Sequence, residues 1–179
     1  IEQEVVPVLR EQAEKRKEAL GLTNLKPWDM EVSTSGKSAL KPFNNGEELI
    51  NKSITCFTAI DPSLGEKLAI MKANGLFDVE SRMGKAPGGY NYPLAETGAP
   101  FIFMNSANSL RDLTTMVHEG GHAIHTFLTA DLELNDFKHC PSEVAELASM
   151  SMELISMDNW DVYFDNEEDL NRAKKEQLA

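Results

Sequence analysis

The sequence predicts a mainly α-helical fold that carries one small β-hairpin. Two observations lead to this prediction. Apolar side chains recur at helical spacing among charged ones over most of the chain, which is the pattern of amphipathic helices. The pattern breaks between residues 84 and 105, where glycine and proline recur too often for a long helix: Gly84, Pro87, Gly88, Gly89, Pro93, Gly98 and Pro100.

Three helices are predicted in the first part of the chain, at residues 1–20, 47–59 and 61–73. An irregular connector at 22–45 separates the first two. Gly21 favours the turn that ends the first helix, and Pro7 fits only in its first turn. Asp61 can cap the third helix, with Pro62 at its first helical position.

The hairpin and three further helices are predicted in the rest of the chain: strands at 90–93 and 101–104, helices at 109–129 and 141–158, and a last helix after the acidic residues 165–169. Ser109 and Asp112 have the spacing of a capping box at the start of the first of these helices. The glycine-rich hairpin fits an ordinary surface turn, and it also fits an exposed edge to which another extended chain can add.

Composition excludes several classes of partner. The 179 residues include 17 basic and 29 acidic ones, and the formal net charge is −12. Such a surface repels phosphate backbones and anionic membranes, and no apolar run approaches the roughly 20 residues that span a bilayer. We therefore predict neither a nucleic-acid nor a membrane partner. Cys56 and Cys140 are too few for a disulfide framework and fit a reducing compartment, which predicts a cytoplasmic location.

His118, Glu119 and His122 form an H-E-x-x-H pattern inside a predicted helix. Positions four apart lie about 40° apart around a helix, so both imidazoles project from one face and can supply half of a tetrahedral zinc site. Glu119 lies about 100° from His118, where a carboxylate can act as general base on a water that zinc activates. The flanks are apolar and predict a buried helix, in which an uncompensated His-Glu-His cluster would be costly. Zinc is therefore the favoured interpretation.

Two glycines follow in the interior of the same helix. Gly120 and Gly121 each cost on the order of 1 kcal/mol relative to alanine, so a close contact is expected to require them. We expect an edge strand or a substrate backbone to approach the helix at this point.

A catalytic zinc needs a third protein ligand. The downstream candidates are His125, His139, Cys140, Glu143, Glu146 and Glu153. His125 could face the site, and it fits either a supporting role beside a ligand or a packed core histidine. The three glutamates recur along one side of the next helix, and that helix has a separate apolar flank: Val144, Leu147, Ala148, Met152 and Ile155. The acidic side can therefore face a polar cleft, but spacing alone does not choose among the three acids.

Two motifs together resemble the M3 family of zinc oligopeptidases, of the oligoendopeptidase F and PZ-peptidase type. They are HEGGHAIH at residues 118–125 and PSEVAELASMSMEL at residues 141–154. LKPWD at 25–29 and GKAPGGY at 84–90 are also similar to that family, so the resemblance covers most of the chain.

The resemblance implies a zincin-like core in which the H-E-x-x-H helix packs on a second, glutamate-bearing helix. It implies one zinc ion held by His118, His122 and Glu146, with Glu119 as the general base. The family's ligand glutamate is followed seven residues later by another, as Glu146 is by Glu153. Glu153 is then expected to orient a ligand imidazole, and Glu143 becomes only a neighbour.

The resemblance also implies hydrolysis of short oligopeptides that lie along an edge strand within residues 88–104. Gly88, Gly89 and Tyr90 are accordingly predicted to bind substrate. The chain is expected to be part of a single peptidase catalytic domain with four sections: a helical lead-in at 1–83, short strands forming the substrate edge at 84–105, a zinc-binding helix pair at 106–160 and a truncated helix at 161–179.

Members of this family are far longer than this chain. Their downstream His and Tyr side chains, which help to stabilise the tetrahedral intermediate, have no match in it. Together with the start at Ile1 in helix-forming sequence, this predicts further polypeptide on both sides and poor activity of the chain by itself. Two rival hypotheses are a zincin of another family that acts on proteins, and a metal-free helical interaction module with a vestigial motif.

Overall fold

A computed structural model describes residues 1–30, 32–34, 36–94 and 96–178. The chain divides into two compact units, Ile1–Ala39 and Leu40–Ala179. Helices dominate, and a three-stranded sheet accompanies them, which confirms the predicted mainly α-helical fold.

The first unit contains helix α1, Val5–Ala19, followed by a short 3₁₀ helix at Pro27–Asp29. Gly21 follows the end of α1 with φ +66°, the left-handed conformation that glycine adopts without strain. The Nε atom of Arg16 donates a hydrogen bond to the carbonyl oxygen of Asp29 over 3.0 Å and joins the helix to the 3₁₀ turn.

Helices α2, Gly46–Ile60, and α3, Pro62–Ala73, open the second unit. The side chain of Asp61 accepts a hydrogen bond from the backbone amide of Ser63, and Pro62 occupies the first helical position as predicted. The two helices bury Leu49, Phe57 and Leu68, which belong to the core of this unit.

The sheet has the strand order β1-β3-β2, with β1 at Phe77–Glu80, β2 at Tyr90–Leu94 and β3 at Ala99–Ser106. Strands β2 and β3 form the predicted antiparallel hairpin, and β2 is an edge strand of the sheet. Strand β1 lies within the section predicted as a helical lead-in, so that prediction is wrong at this point. Four residues are too few to display strand periodicity, and β1 forms by parallel pairing with β3, a partner distant in sequence.

Helices α4, Leu110–Thr129, and α6, Ser142–Ser156, form the most extensive packing of the unit, with the short helix α5, Asn135–Lys138, between them. The capping box of Ser109 and Asp112 is present at the start of α4. A Cβ atom added to Gly121 would lie 2.9 Å from the Cα atom of Ser149 on α6. One added to Gly120 would lie 2.8 Å from the ring of Phe57 on α2. The glycine pair thus admits a neighbouring helix and an aromatic ring, and not an edge strand or a substrate as expected.

The predicted apolar flank of α6 is only partly buried. Met152 packs against the core, whereas Val144, Leu147 and Ile155 are exposed. Helix α6 instead comes close to α4 at Ser149, which is fully buried and lies beside Gly121. Ser156, also fully buried, contacts Cys56 of α2 through its carbonyl oxygen.

A 3₁₀ helix, Met157–Tyr163, and helix α7, Glu167–Gln177, complete the second unit. Trp160 and Tyr163 are buried, and the hydroxyl of Tyr163 donates a hydrogen bond to Ser53 Oγ over 2.9 Å. Among the described helices, none has the length and apolar character needed to cross a membrane.

Candidate metal centre

His118 and His122 lie one turn apart on α4 with their rings close together. The ring centroids are 4.8 Å apart, and the rings are nearly perpendicular, at 86°. About one fifth of each side chain is exposed, 22% for His118 and 18% for His122. The helical spacing that suggested a shared face therefore brings the two rings together at a partly covered surface.

Glu146 reaches the same point from α6. Its Oε2 atom lies 3.3 Å from Nε2 of His118, and its Oε1 atom lies 3.7 Å from Nε2 of His122. The three side chains offer ligand atoms that all lie within 4.8 Å of one another. The described part of the chain contains no second group of three or more His, Cys, Asp or Glu residues whose ligand atoms lie this close together.

Glu153 lies about two turns further along α6 and contacts the other nitrogen of His118. Its Oε1 atom is 2.6 Å from Nδ1 of His118. An ionised carboxylate can only accept, so this contact holds the proton on Nδ1 and leaves the Nε2 lone pair directed at Glu146. Glu146 and Glu153 thus contact different nitrogens of the His118 ring, Glu146 at Nε2 and Glu153 at Nδ1.

A further polar link, which the sequence did not predict, supports Glu153. The Nε2 atom of Gln177 on α7 donates to Oε2 of Glu153 over 2.7 Å, and Thr114 on α4 donates to Oε1 of Gln177 over 2.8 Å. No local pattern could have identified Gln177, since its two partners lie 24 and 63 residues away.

Glu119 is buried beside the two imidazoles, with 7% of its surface exposed. Burial raises the pKa of its carboxyl, because the charged form loses hydration. The charge of His118 and a hydrogen bond from the backbone amide of Asn91 on β2 act in the opposite direction, and lower that pKa. Glu119 therefore lies close to the group of His118, His122 and Glu146 and to the edge strand β2.

The pKa of His122 is lowered. Burial is the largest cause, and the nearby His118 adds to it. A lowered pKa favours the neutral imidazole, which is the form that binds a metal ion.

Three other candidates lie outside the cluster. His125, His139 and Cys140 line a cavity of about 270 Å³ together with His122. In the described part of the chain, their ligand atoms do not join the group of His118, His122 and Glu146. Glu143 is exposed at the start of α6 and does not join it either.

The predicted substrate residues lie at the start of the edge strand. Gly88 is exposed with φ +99°, and a Cβ atom on Gly89 would lie 3.1 Å from Cγ2 of Thr115 on α4. The ring of Tyr90 stacks on Phe103 of β3 with 4.9 Å between centroids. Gly89 therefore lies where this strand approaches α4, whereas Tyr90 packs against the neighbouring strand and stays 48% exposed.

The family model for peptidase family M3 matches the chain over residues 1–179. The chain belongs to peptidase family M3. This is the family indicated by the two motifs at 118–125 and 141–154, which lie on α4 and α6.

Similarity to individual proteins supports this assignment. An oligoendopeptidase F homolog of Lactococcus lactis subsp. lactis (strain IL1403) is 31% identical over 150 residues, which cover 84% of this chain and 24% of the relative. A homolog of the same enzyme from Borreliella burgdorferi is 30% identical and covers 96% of this chain and 28% of its own length. The solved structure of PZ peptidase A with an inhibitor superimposes with a TM-score of 0.85 at 28% identity, over 99% of this chain and 31% of that one. The chain thus spans about a quarter of the length of the curated relatives that it matches.

Proposed function

We propose that the chain carries the catalytic centre of a zinc-dependent oligoendopeptidase that hydrolyses short peptides. The observation that carries the proposal is the convergence of His118, His122 and Glu146 from two helices, with the buried Glu119 beside them. Membership of peptidase family M3 and the names of the oligoendopeptidase relatives support the reaction class and the substrate class.

The residues present fit zinc. Two imidazole nitrogens and one carboxylate are a ligand set of catalytic zinc sites, in which the remaining position stays free for reactants. The contact of Glu153 with Nδ1 of His118 supplies the outer hydrogen bond that ligand histidines usually make. Zinc bound there would act as a Lewis acid that polarises the scissile carbonyl and makes water more acidic.

Glu119 has the position and environment of a general base. Because burial raises its pKa, its carboxylate is a stronger base than one in water. In the proposed reaction it accepts a proton from the attacking water and delivers that proton to the leaving amine nitrogen. His118 and Asn91 act against the burial effect and lower that pKa.

The edge strand β2 is proposed to bind the peptide backbone, with Gly88, Gly89 and Tyr90 at its start. An extended peptide that adds to a sheet edge is held by main-chain hydrogen bonds, so recognition tolerates many side chains. The hydrogen bond from the amide of Asn91 to Glu119 supports this arrangement, since it brings β2 next to the proposed base.

The proposal also covers His125, the domain organisation and the location of the protein in the cell. His125 is assigned a supporting role beside the ligand His122, with which it lines a cavity. The two units are assigned to one catalytic domain, and the free cysteines Cys56 and Cys140 support action in the cytoplasm.

Metal analysis and peptide cleavage by the full-length protein test the proposal. We expect one zinc per chain, cleavage of short peptides, loss of cleavage with a chelator and its return on addition of zinc. A series of peptides of increasing length measures the size limit. Protein without stoichiometric zinc, or with cleavage that a chelator leaves intact, would contradict the proposal and favour a metal-free interaction module.

A further inference from the structure

The cavity beside His122 is lined by hydrogen-bond donors and by no acidic side chain. Its polar lining includes Asn91, His125, Lys138 and His139, and none of its lining residues is Asp or Glu. This contrasts with a chain that carries 29 acidic residues and a net charge of −12. The cavity therefore has a basic and polar lining on a molecule that is acidic overall.

Asn91 lines this cavity and carries a side-chain donor without a partner. Among the described residues, its Nδ2 atom is the buried side-chain nitrogen or oxygen that has no hydrogen-bond partner. A buried donor without a partner costs free energy, so a ligand that accepts from it removes that cost. Asn91 also hydrogen-bonds Glu119 through its backbone amide, which ties the cavity to the proposed base.

Lys138 adds a basic side chain to the lining of the cavity. It ends the short helix α5 and is half-buried at the cavity wall. No acidic residue of the described part of the chain forms an ion pair with it. By contrast, the hydroxyls of Thr126 and Thr129, which also line the cavity, donate to carbonyl oxygens of α4. Among the described residues that line the cavity, Lys138 and Asn91 are therefore an amine and an amide donor available to bind a ligand.

We propose that this cavity is a subsite for a carboxylate of the peptide substrate, held by Lys138 and by Nδ2 of Asn91. The inference rests on the proposed peptidase function, because it assigns part of the substrate to a pocket that shares His122 with the metal-ligand cluster. A carboxylate matches the lining, since it accepts several hydrogen bonds and carries the charge opposite to that of Lys138. It comes either from an acidic side chain or from the C-terminus of a short peptide.

Matched peptides distinguish the two sources. One series carries Glu or Gln at each position around the cleaved bond, and the other carries a free or an amidated C-terminus. Binding is measured on full-length, zinc-loaded protein with Glu119→Gln, so that no peptide is consumed, and kcat/KM is measured on the unmodified protein. We expect one carboxylate to improve binding by about tenfold over its neutral counterpart, as for a charge-assisted hydrogen bond.

Variants of the cavity residues test whether the preference for a carboxylate comes from this cavity. Lys138→Gln and Asn91→Ala should each reduce the carboxylate-to-neutral ratio towards one, and Lys138→Arg should preserve most of it. Lys175→Gln, which removes the same charge from an exposed position on α7, should leave the ratio unchanged. A ratio that stays the same in the Lys138→Gln and Asn91→Ala proteins, or that falls equally in the Lys175→Gln protein, overturns the subsite.

The two proposals fail in different ways. If the unmodified protein cleaves peptides but shows a ratio of one, the subsite is wrong and the peptidase function stands. If no peptide is cleaved while the binding ratio still depends on Lys138, the cavity binds a carboxylate as proposed and the peptidase function is wrong.

Discussion

Glu119 and the imidazoles beside it illustrate how single residues prepare this site. Burial raises the pKa of Glu119 and lowers that of His122, because each loses hydration in its charged form. Both shifts favour the proposed roles: the carboxylate becomes a stronger base, and the imidazole stays neutral and able to bind metal. One cause, the burial of a helix face, thus tunes two groups with opposite charges.

Replacing Glu119 by Gln should separate metal binding from catalysis. The amide keeps the shape of the side chain and leaves His118, His122 and Glu146 in place, so zinc content should not change. Without a base, kcat should fall by about 10²–10⁴-fold, the usual contribution of general acid–base catalysis. Metal analysis and peptide-cleavage kinetics on the full-length protein check both parts, and retained turnover would remove Glu119 from the mechanism.

The choice between two neighbouring acids gives a second prediction. Oε2 of Glu146 lies 3.3 Å from Nε2 of His118, whereas Glu143 is exposed outside the cluster. Glu146→Ala should therefore weaken zinc binding much more than Glu143→Ala, which serves as its matched control on the same helix. Competition with a chromogenic chelator measures both affinities. The reverse order of effects would show that Glu143 is the ligand.

At the scale of elements, the packing of α4 on α6 brings the three candidate ligands together. Gly121 lies where α6 comes closest, and Ser149 is fully buried across from it. A slightly larger separation of the two helices would move Glu146 and Glu153 away from His118. The glycine therefore serves the geometry of the site, although it contacts no reacting group.

Gly121→Ala should destabilise the protein and weaken zinc binding together. The added methyl group would lie 2.9 Å from a backbone atom, Cα of Ser149, which cannot rotate away. We expect a loss of about 1–3 kcal/mol in the free energy of unfolding, typical of overpacking, and a lower zinc affinity. Denaturant unfolding and chelator competition measure the two effects.

Gly120→Ala is the informative comparison, because its new methyl group meets the end of the Phe57 ring. A shorter side chain at that position, Phe57→Leu, should relieve part of the cost of Gly120→Ala and none of the cost of Gly121→Ala. Equal relief of both variants would contradict the assignment of Gly121 to the interface between helices.

Strand β1 is joined to the loop before the hairpin by a buried lysine. Nζ of Lys85 lies 3.0 Å from Oδ1 of Asp78, donates to the carbonyl oxygens of Asp78 and Glu80, and lies 4.4 Å from the ring centroid of Phe103. Only 1% of the Lys85 side chain is exposed. A hydrogen bond from Arg82 is the largest cause that lowers the pKa of Asp78, and with Lys85 it brings that pKa to about 2.

The lowered pKa of Asp78 predicts a pH dependence of stability. A carboxyl group whose pKa is lower in the folded than in the unfolded state stabilises the protein above its unfolded value of about 3.9. That stabilisation is lost as the pH falls through about 2. Asp78→Asn should therefore lower stability at neutral pH and flatten the decline between about pH 4 and pH 2.

Urea unfolding at a series of pH values measures this effect. Asp131→Asn, which removes the same charge from an exposed position, is the matched control. If Asp78→Asn changed the pH dependence no more than this control does, the pairing with Arg82 and Lys85 would have no part in stability.

At the scale of the whole molecule, metal binding is expected to contribute to stability. The candidate ligands come from α4 and α6, which lie in the larger of the two units and pack against its core. A metal ion bound by both helices stabilises the folded state by mass action, by about 2.7 kcal/mol at a free concentration 100 times its dissociation constant.

Removal of zinc should therefore lower the thermal midpoint, and added zinc should raise it in a concentration-dependent way. Scanning calorimetry of the full-length protein with and without a chelator measures the shift. The shift should persist with Glu143→Ala and shrink with Glu146→Ala. An equal shift in both variants would mean that metal stabilises the protein through another site.

Features that depend on neighbouring residues could be predicted from the sequence. Helix caps such as Asp61 and Ser109, the glycine-rich hairpin and the shared face of His118 and His122 all follow from contacts within about four positions of the chain. Such contacts form whenever the local backbone does, so residue type and spacing are enough to predict them.

Which distant residues meet depends on how the helices and strands pack. Spacing left Glu143, Glu146 and Glu153 open, and the resemblance chose among them before the packing of α6 gave Glu146 and Glu153 separate nitrogens of His118. Strand β1, the support of Glu153 by Gln177 and the unpartnered Nδ2 of Asn91 had no local signal at all. Each of these depends on how whole helices and strands pack, and that packing is set by the summed burial of many side chains and not by the order of a few.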